Sequence, residues 1–180
     1  MPQSDVVANG SLSSQSGGEG EIRKKIVLDD LVEGIVAMPT QLFYTTQIPV
    51  SLWFISRNKR QRGKTLFVDA RKMGSMVNRR LREMTTEDIA KIAATFDAFD
   101  DGTLENVKGY CAAVATEEIA KQDYILTPGR YVGIEEQEDD GEPFEEKMTR
   151  LTSELSAMFK RSHELEDEIR KRLGAIGFEV

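Results

Sequence analysis

The run Ile48–Ile55, IPVSLWFI, carries one polar residue, Ser51, and sits between the polar, aromatic QLFYTTQ and the basic SRNKRQRGK. A run this short cannot span a membrane, which takes roughly 20 apolar residues. Its Pro and its β-branched and aromatic content disfavour a helix. What remains is a strand covered on both faces, which needs a sheet around it.

The neighbouring segments supply parts of that sheet. In EIRKKIVLDDLVEGIVAMP, Ile22 and Ile26 lie one helical turn apart, and LVEGIVA is a β-branched run stopped by Pro39, so a helix is followed by a strand. KTLFVDA comes soon after the buried run, and the spacing predicts that the two form an antiparallel pair. Helix, strand and buried hairpin in this order suit the closing half of a mixed α/β sheet. The opening half has no counterpart in the pattern.

Composition divides the chain into three zones: 1–71, partial α/β; 72–134, helical and irregular; 135–180, an acidic link and a long helix. In the second zone, TTEDIAKIAATFDAF offers a capping threonine, early acids, and Ile89, Ile92, Ala93 and Phe96 at helical spacing. A shorter helix is expected after Thr116, and ILTPGRYVGI reads as a turn at Pro128-Gly129 leading into an extended piece. In the third zone, Met148, Leu151, Leu155, Met158, Leu165 and Ile169 form a seam that a single helix cannot bury.

The net charge of −7 argues against a protein that coats nucleic acid non-specifically, which needs clustered Lys and Arg. Cys111 and His163 are each the only residue of their kind, so a cysteine cage, a histidine-rich metal site and an internal disulfide are excluded, and a cytoplasmic location is expected. The carboxylates of EEQEDDGEPFEE lack the alternation of a calcium loop, and no metal is expected. No membrane partner is expected.

Four blocks in order, VVANGSLSSQSGGEGEIRKKIV, AMPTQLFYTTQIPVSLWFISRNK, GKTLFVDARKMGSM and LTPGRYVGIEEQEDDGEPFEEKM, resemble the C-terminal portion of the modification (M) subunit of type I restriction-modification systems, the N6-adenine DNA methyltransferases. The resemblance covers about Val6 to Val180. It implies the C-terminal half of a Rossmann-like sheet that uses S-adenosylmethionine (AdoMet), followed by a helical tail ending in one long helix. It also implies double-stranded DNA, a specificity subunit and, indirectly, a restriction subunit as partners.

Two motifs of that family, the glycine-rich cofactor loop and Asn-Pro-Pro-aromatic, are absent from these residues. SGGEGE, Ser16–Glu21, lacks the spacing of such a loop and reads as a flexible turn. The chain is therefore expected to be the downstream part of an M subunit, needing its N-terminal part for activity, inactive alone and without a cofactor of its own. The rival expectation is a non-catalytic module or relic that binds a specificity subunit without methylating.

Three groups of residues are candidates for sites. Enzymes acting on a base within duplex DNA extrude it and stack it on an aromatic, and the resemblance assigns this to Phe43, with Tyr44 as the second choice; as residues alone, both also fit core plugs. Arg57, Lys59, Arg60, Arg62 and Lys64 read either as contacts to DNA phosphates or as a solvated hairpin tip, and Arg71, Lys72, Arg79, Arg80 and Arg82 extend the basic region. Met148, Leu151, Leu155, Met158, Leu165 and Ile169 read either as a docking seam for the specificity subunit or as packing against the Thr85–Phe99 helix.

Overall fold

The computed structural model describes residues 3–134 and 143–178, arranged as two compact units, Met1–Glu136 and Gln137–Val180. The first unit is built on a five-stranded mixed sheet. Strand β1 (Gln3–Ala8) leads through two short 3-10 turns to helix α1 (Glu19–Leu28), then β2 (Val32–Ala37), β3 (Val50–Ile55) and β4 (Lys64–Asp69). A small hairpin, β5 (Ser75–Met76) and β6 (Arg82–Glu83), precedes α2 (Thr86–Asp100), β7 (Cys111–Ala115) and α3 (Thr116–Lys121). The second unit holds α4 (Phe144–Ala175).

The strand order is β1-β3-β2-β4-β7, with β2 and β4 parallel and the other pairs antiparallel. The expected antiparallel pairing of IPVSLWFI with KTLFVDA is therefore corrected, because β2 lies between them. The connecting residues 56–63 cross beneath the start of β2, where Ser56 N donates to Leu31 O (2.9 Å) and Gly63 N to Asp30 Oδ1 (3.1 Å). Passing one strand means bridging about 10 Å, well within the reach of such a link.

Each sheet face carries its own core. Leu12, Val27, Val32, Ile35, Trp53, Phe67, Ile119 and Leu126 pack on the side of α1 and α3, and Val36, Leu66, Val68, Phe99 and Cys111 on the side of α2. β2 is buried at every position, as a central strand requires. β3 is covered less completely than expected: Ser51 and Trp53 are buried, while Leu52 and Phe54 on its other face are half-buried.

β2 is also irregular. Its register against β3 shifts between Val32 and Gly34, and both Glu33 and Gly34 turn towards α2. That is the signature of a β-bulge, in which one extra residue breaks the alternation of faces.

α2 begins one residue after its predicted cap. Thr85 Oγ1 accepts from Asp88 N at 3.1 Å, and Asp88 Oδ2 in turn accepts from Thr85 N at 3.1 Å, closing a capping box. The region 72–134 is more than helical and irregular, since Cys111–Ala115 forms an edge strand on β4. After Pro128 the chain makes a 3-10 turn and no strand. Most of the expected acidic link, residues 135–142, lies outside the described residues.

Candidate nucleic-acid interface

In open α/β sheets, ligands bind beyond the carboxyl ends of the parallel strands. Here that end is marked by Ala37 of β2 and Asp69 of β4, and β1 runs in the same direction because both β1 and β2 are antiparallel to β3. The segment 38–49, which holds Phe43 and Tyr44, leaves from this end. Its base is closed by Met38 N donating to Val50 O (2.9 Å) and Asn9 N to Pro49 O (3.4 Å), with Pro39 fully buried.

On this fixed base the two aromatics point away from the core. Phe43 keeps 41% of its surface exposed and Tyr44 88%, so neither is a core plug. Gln41, two residues before Phe43, adopts a left-handed φ of 67°. Its backbone carbonyl accepts from Arg82 N at 2.8 Å and its amide donates to Arg79 O at 3.3 Å, which ties the segment to the β5–β6 hairpin.

The basic turn 57–64 lies at the opposite end of the sheet, between the end of β3 and the start of β4. Six residues of strand separate the two ends, about 20 Å. Lys59 is also buried, with its ammonium on the Asp30 carboxylate. Arg62 lies 3.8 Å from the same carboxylate, and Arg60 reaches Asp100 and Asp101 at 3.9 and 3.6 Å. Of the five bases read as phosphate contacts or a solvated tip, one is internal, two are paired, and Arg57 and Lys64 are exposed and without an ion pair among the described residues.

Between β2, β3 and α2 runs an apolar groove of about 570 Å³, lined by Met38, Leu52, Phe54, Ile92 and Phe96 and edged by Glu33, Asp97 and Asp100. Burial, reinforced by the nearby Asp100 charge, pushes the Glu33 carboxyl above its ordinary range. Ile89, Ile92, Ala93 and Phe96, which share the helical spacing of α2, all line this groove.

The glycines of SGGEGE lie in the turn that opens α1. Gly17 and Gly18 have left-handed φ of 60° and 84° and lead into α1. The interior of the preceding loop is filled by Leu12 and by the buried Arg23 guanidinium, which donates to Ser11 O (3.0 Å), Ser14 O (2.9 Å) and Tyr124 O (2.7 Å). Burial lowers the pKa of Arg23 from its usual value.

In the second unit, α4 is polar on most of its surface and laced by pairs such as Arg150–Glu154 and Arg170–Glu166. Met148, Leu151, Leu155, Met158, Leu165 and Ile169 are all exposed along it. Phe159, also exposed, was missed because it falls beside the seam positions rather than on them.

Among the described residues, no group of three or more His, Cys, Asp or Glu is placed to hold a metal ion, and no helix is long and apolar enough to cross a membrane.

The sheet is an open mixed one in which β3 runs antiparallel between β1 and β2, with an aromatic segment at the carboxyl end of the parallel strands. Residues 4–140 match the N-6 DNA methylase family, and the chain belongs to it. It is 53% identical to the type I restriction enzyme HindI methylase subunit of Haemophilus influenzae, over 97% of this chain and 40% of that protein. It is 44% identical to the MjaIX methylase subunit of Methanocaldococcus jannaschii, over 96% of this chain and 32% of that one. The chain thus spans less than half the length of these relatives. Among solved structures, it resembles the type I restriction-modification methyltransferase subunit of Streptococcus thermophilus (TM-score 0.64, 25% identity, 72% of this chain and 26% of that one). The EcoKI M protein shares its fold (TM-score 0.55, 17% identity, 98% of this chain and 44% of that one).

Proposed function

We propose that this chain supplies the C-terminal part of a type I adenine-specific DNA methyltransferase subunit. Its own contributions are one wall of the pocket for the extruded adenine, contacts to the DNA backbone, and the arm that docks on the specificity subunit. The observation that carries this reading is the pair Phe43 and Tyr44, exposed on a segment with a fixed base at the carboxyl ends of the parallel strands. Phe43 stacks on the base, and Tyr44 is the second choice.

AdoMet supplies the methyl group in such an enzyme. Its cradle belongs to the N-terminal part of the subunit, a reading supported by the lack of a glycine-rich cofactor loop in this chain and by the Ser11 and Ser14 carbonyls turned inward onto Arg23. The 57–64 turn retains Arg57 and Lys64 for phosphates roughly six base pairs from the target, at 3.4 Å per step. The exposed seam of α4, Met148 to Ile169, docks on helices of the specificity subunit, through which restriction subunits join the assembly.

The test is Phe43→Ala in an enzyme reconstituted from this chain, the N-terminal part of the M subunit and a specificity subunit. Methylation should fall much more than AdoMet affinity. Equal losses in both would overturn the base-stacking role. If the chain binds a specificity subunit but never restores methylation, it is a non-catalytic interaction module instead.

A further inference from the structure

The structure sorts the arginines of residues 71–82, which composition alone leaves equivalent. Arg71 is held by Asp69, with its Nε and Nη2 both on the carboxylate, at 2.8 and 2.6 Å from its two oxygens. Arg82 turns inward, and its Nη1 donates to Met73 O (3.0 Å) and Gly74 O (3.1 Å). Both are structural ties. Arg79 and Arg80 differ, being exposed and without an ion pair or side-chain hydrogen bond among the described residues.

These two occupy a built turn rather than a loose one. Asn78 Oδ1 accepts from Arg80 N (2.8 Å) and Leu81 N (3.0 Å), Val77 N donates to Leu81 O (2.9 Å), and Leu81 is 6% exposed, plugging the turn into the body of the protein. Side-chain oxygens that cap the following backbone amides fix such a turn. The guanidiniums are thus carried on a rigid support that does not itself need them.

The turn is joined to the aromatic segment at Gln41, through Arg79 O and Arg82 N. Two uncommitted guanidiniums therefore stand at the same end of the sheet as Phe43 and Tyr44, whereas the 57–64 turn stands at the other. We infer that Arg79 and Arg80 grip the DNA backbone beside the extruded base, and that Gln41 sets the aromatic segment against that grip. This rests on the base-pocket reading for its location, but not for its chemistry. Guanidiniums suit phosphate because their planar fork matches its oxygens and they stay charged at any working pH.

The experiment uses the full chain and two DNA probes over a salt series: a fluorescein-labelled duplex of mixed sequence, and a duplex with 2-aminopurine opposite an abasic site. Each phosphate contact adds about 0.9 to the slope of log K against log salt for duplex DNA. R79A/R80A should lower that slope by about 1.8, and R79K/R80K should restore it, since lysine keeps the point charge. Both positions are exposed, so far-UV spectra should match the parent chain.

An unchanged slope in R79A/R80A, or a parent chain with no measurable DNA binding at low salt, would overturn the inference. So would a turn whose neutralisation weakens only attachment to a specificity subunit. The 2-aminopurine signal separates this from the stacking proposal. If F43A leaves that signal unchanged while R79A/R80A still lowers the slope, the grip stands and the stacking role falls. If F43A abolishes the signal and the slope is indifferent to R79A/R80A, the reverse holds.

Discussion

The ammonium of Lys59, buried in the first unit, donates to the carboxylate of Asp30, which also accepts from Gly63 N and so holds both limbs of the 56–63 crossing. Asp30 itself has a left-handed φ of 54°, a conformation that Asp and Asn tolerate better than other non-glycine residues. A sequence-level reading saw only a basic turn, because the acid that neutralises it lies in a different element.

Asp30→Asn keeps the backbone preference and removes the charge. Leaving Lys59 buried and uncompensated should cost on the order of 3 kcal/mol in urea unfolding, as broken buried pairs do. The double variant D30N/K59M should recover most of that loss. Equal stability of D30N and the parent chain would show that water reaches the ammonium.

Glu33 sits in the groove with a carboxyl raised by burial and by Asp100. A carboxyl whose folded pKa lies above its unfolded one is accommodated best when protonated. Below the unfolded value, near 4.3, its full contribution is present, and it is lost as pH rises through the folded value. Glu33→Gln should therefore raise the thermal midpoint at neutral pH, with the gain fading on acidification. A gain independent of pH would point to packing instead.

Gly34 leaves room for a ring. A Cβ there would come within 2.8 Å of Phe96, which stands 4.5 Å from Phe54 between ring centroids. Gly34→Ala should cost about 1–3 kcal/mol through overpacking, measured by denaturant unfolding. A neutral result would mean that Phe96 swings freely into the groove.

Leu151 and Leu155 are 43% and 49% exposed on α4. L151E/L155E changes a face that is already accessible, so the helix should persist by circular dichroism while co-purification with a specificity subunit is lost. Retention of the complex would refute the docking role.

How much was legible in advance differs from element to element. The capping threonine of α2, the Pro-terminated β2 and the apolar spacing along α4 follow from local rules, and each appears where its residues predict. β7 was missed because CAAVA is rich in alanine, a weak strand former, and becomes a strand only through its neighbour β4. The β3–β4 pairing failed for a related reason: nothing in a link of eight residues records that β2 will slip between. Exposure of Phe43 and Tyr44 and the sorting of Arg79 and Arg80 from Arg71 and Arg82 are matters of three-dimensional partnership, which a list of bases and aromatics does not encode.

The strand order also has a consequence for the order of synthesis. Among the described residues β1 pairs with β3 alone, and the register joins Gln3 to Ile55, about fifty residues apart. At translation speeds of about 5–20 residues per second, β1 is made several seconds before its partner. Through that interval the edge of β1 that receives β3 is open, so the growing chain has a window in which chaperones compete with misassembly for the same six residues.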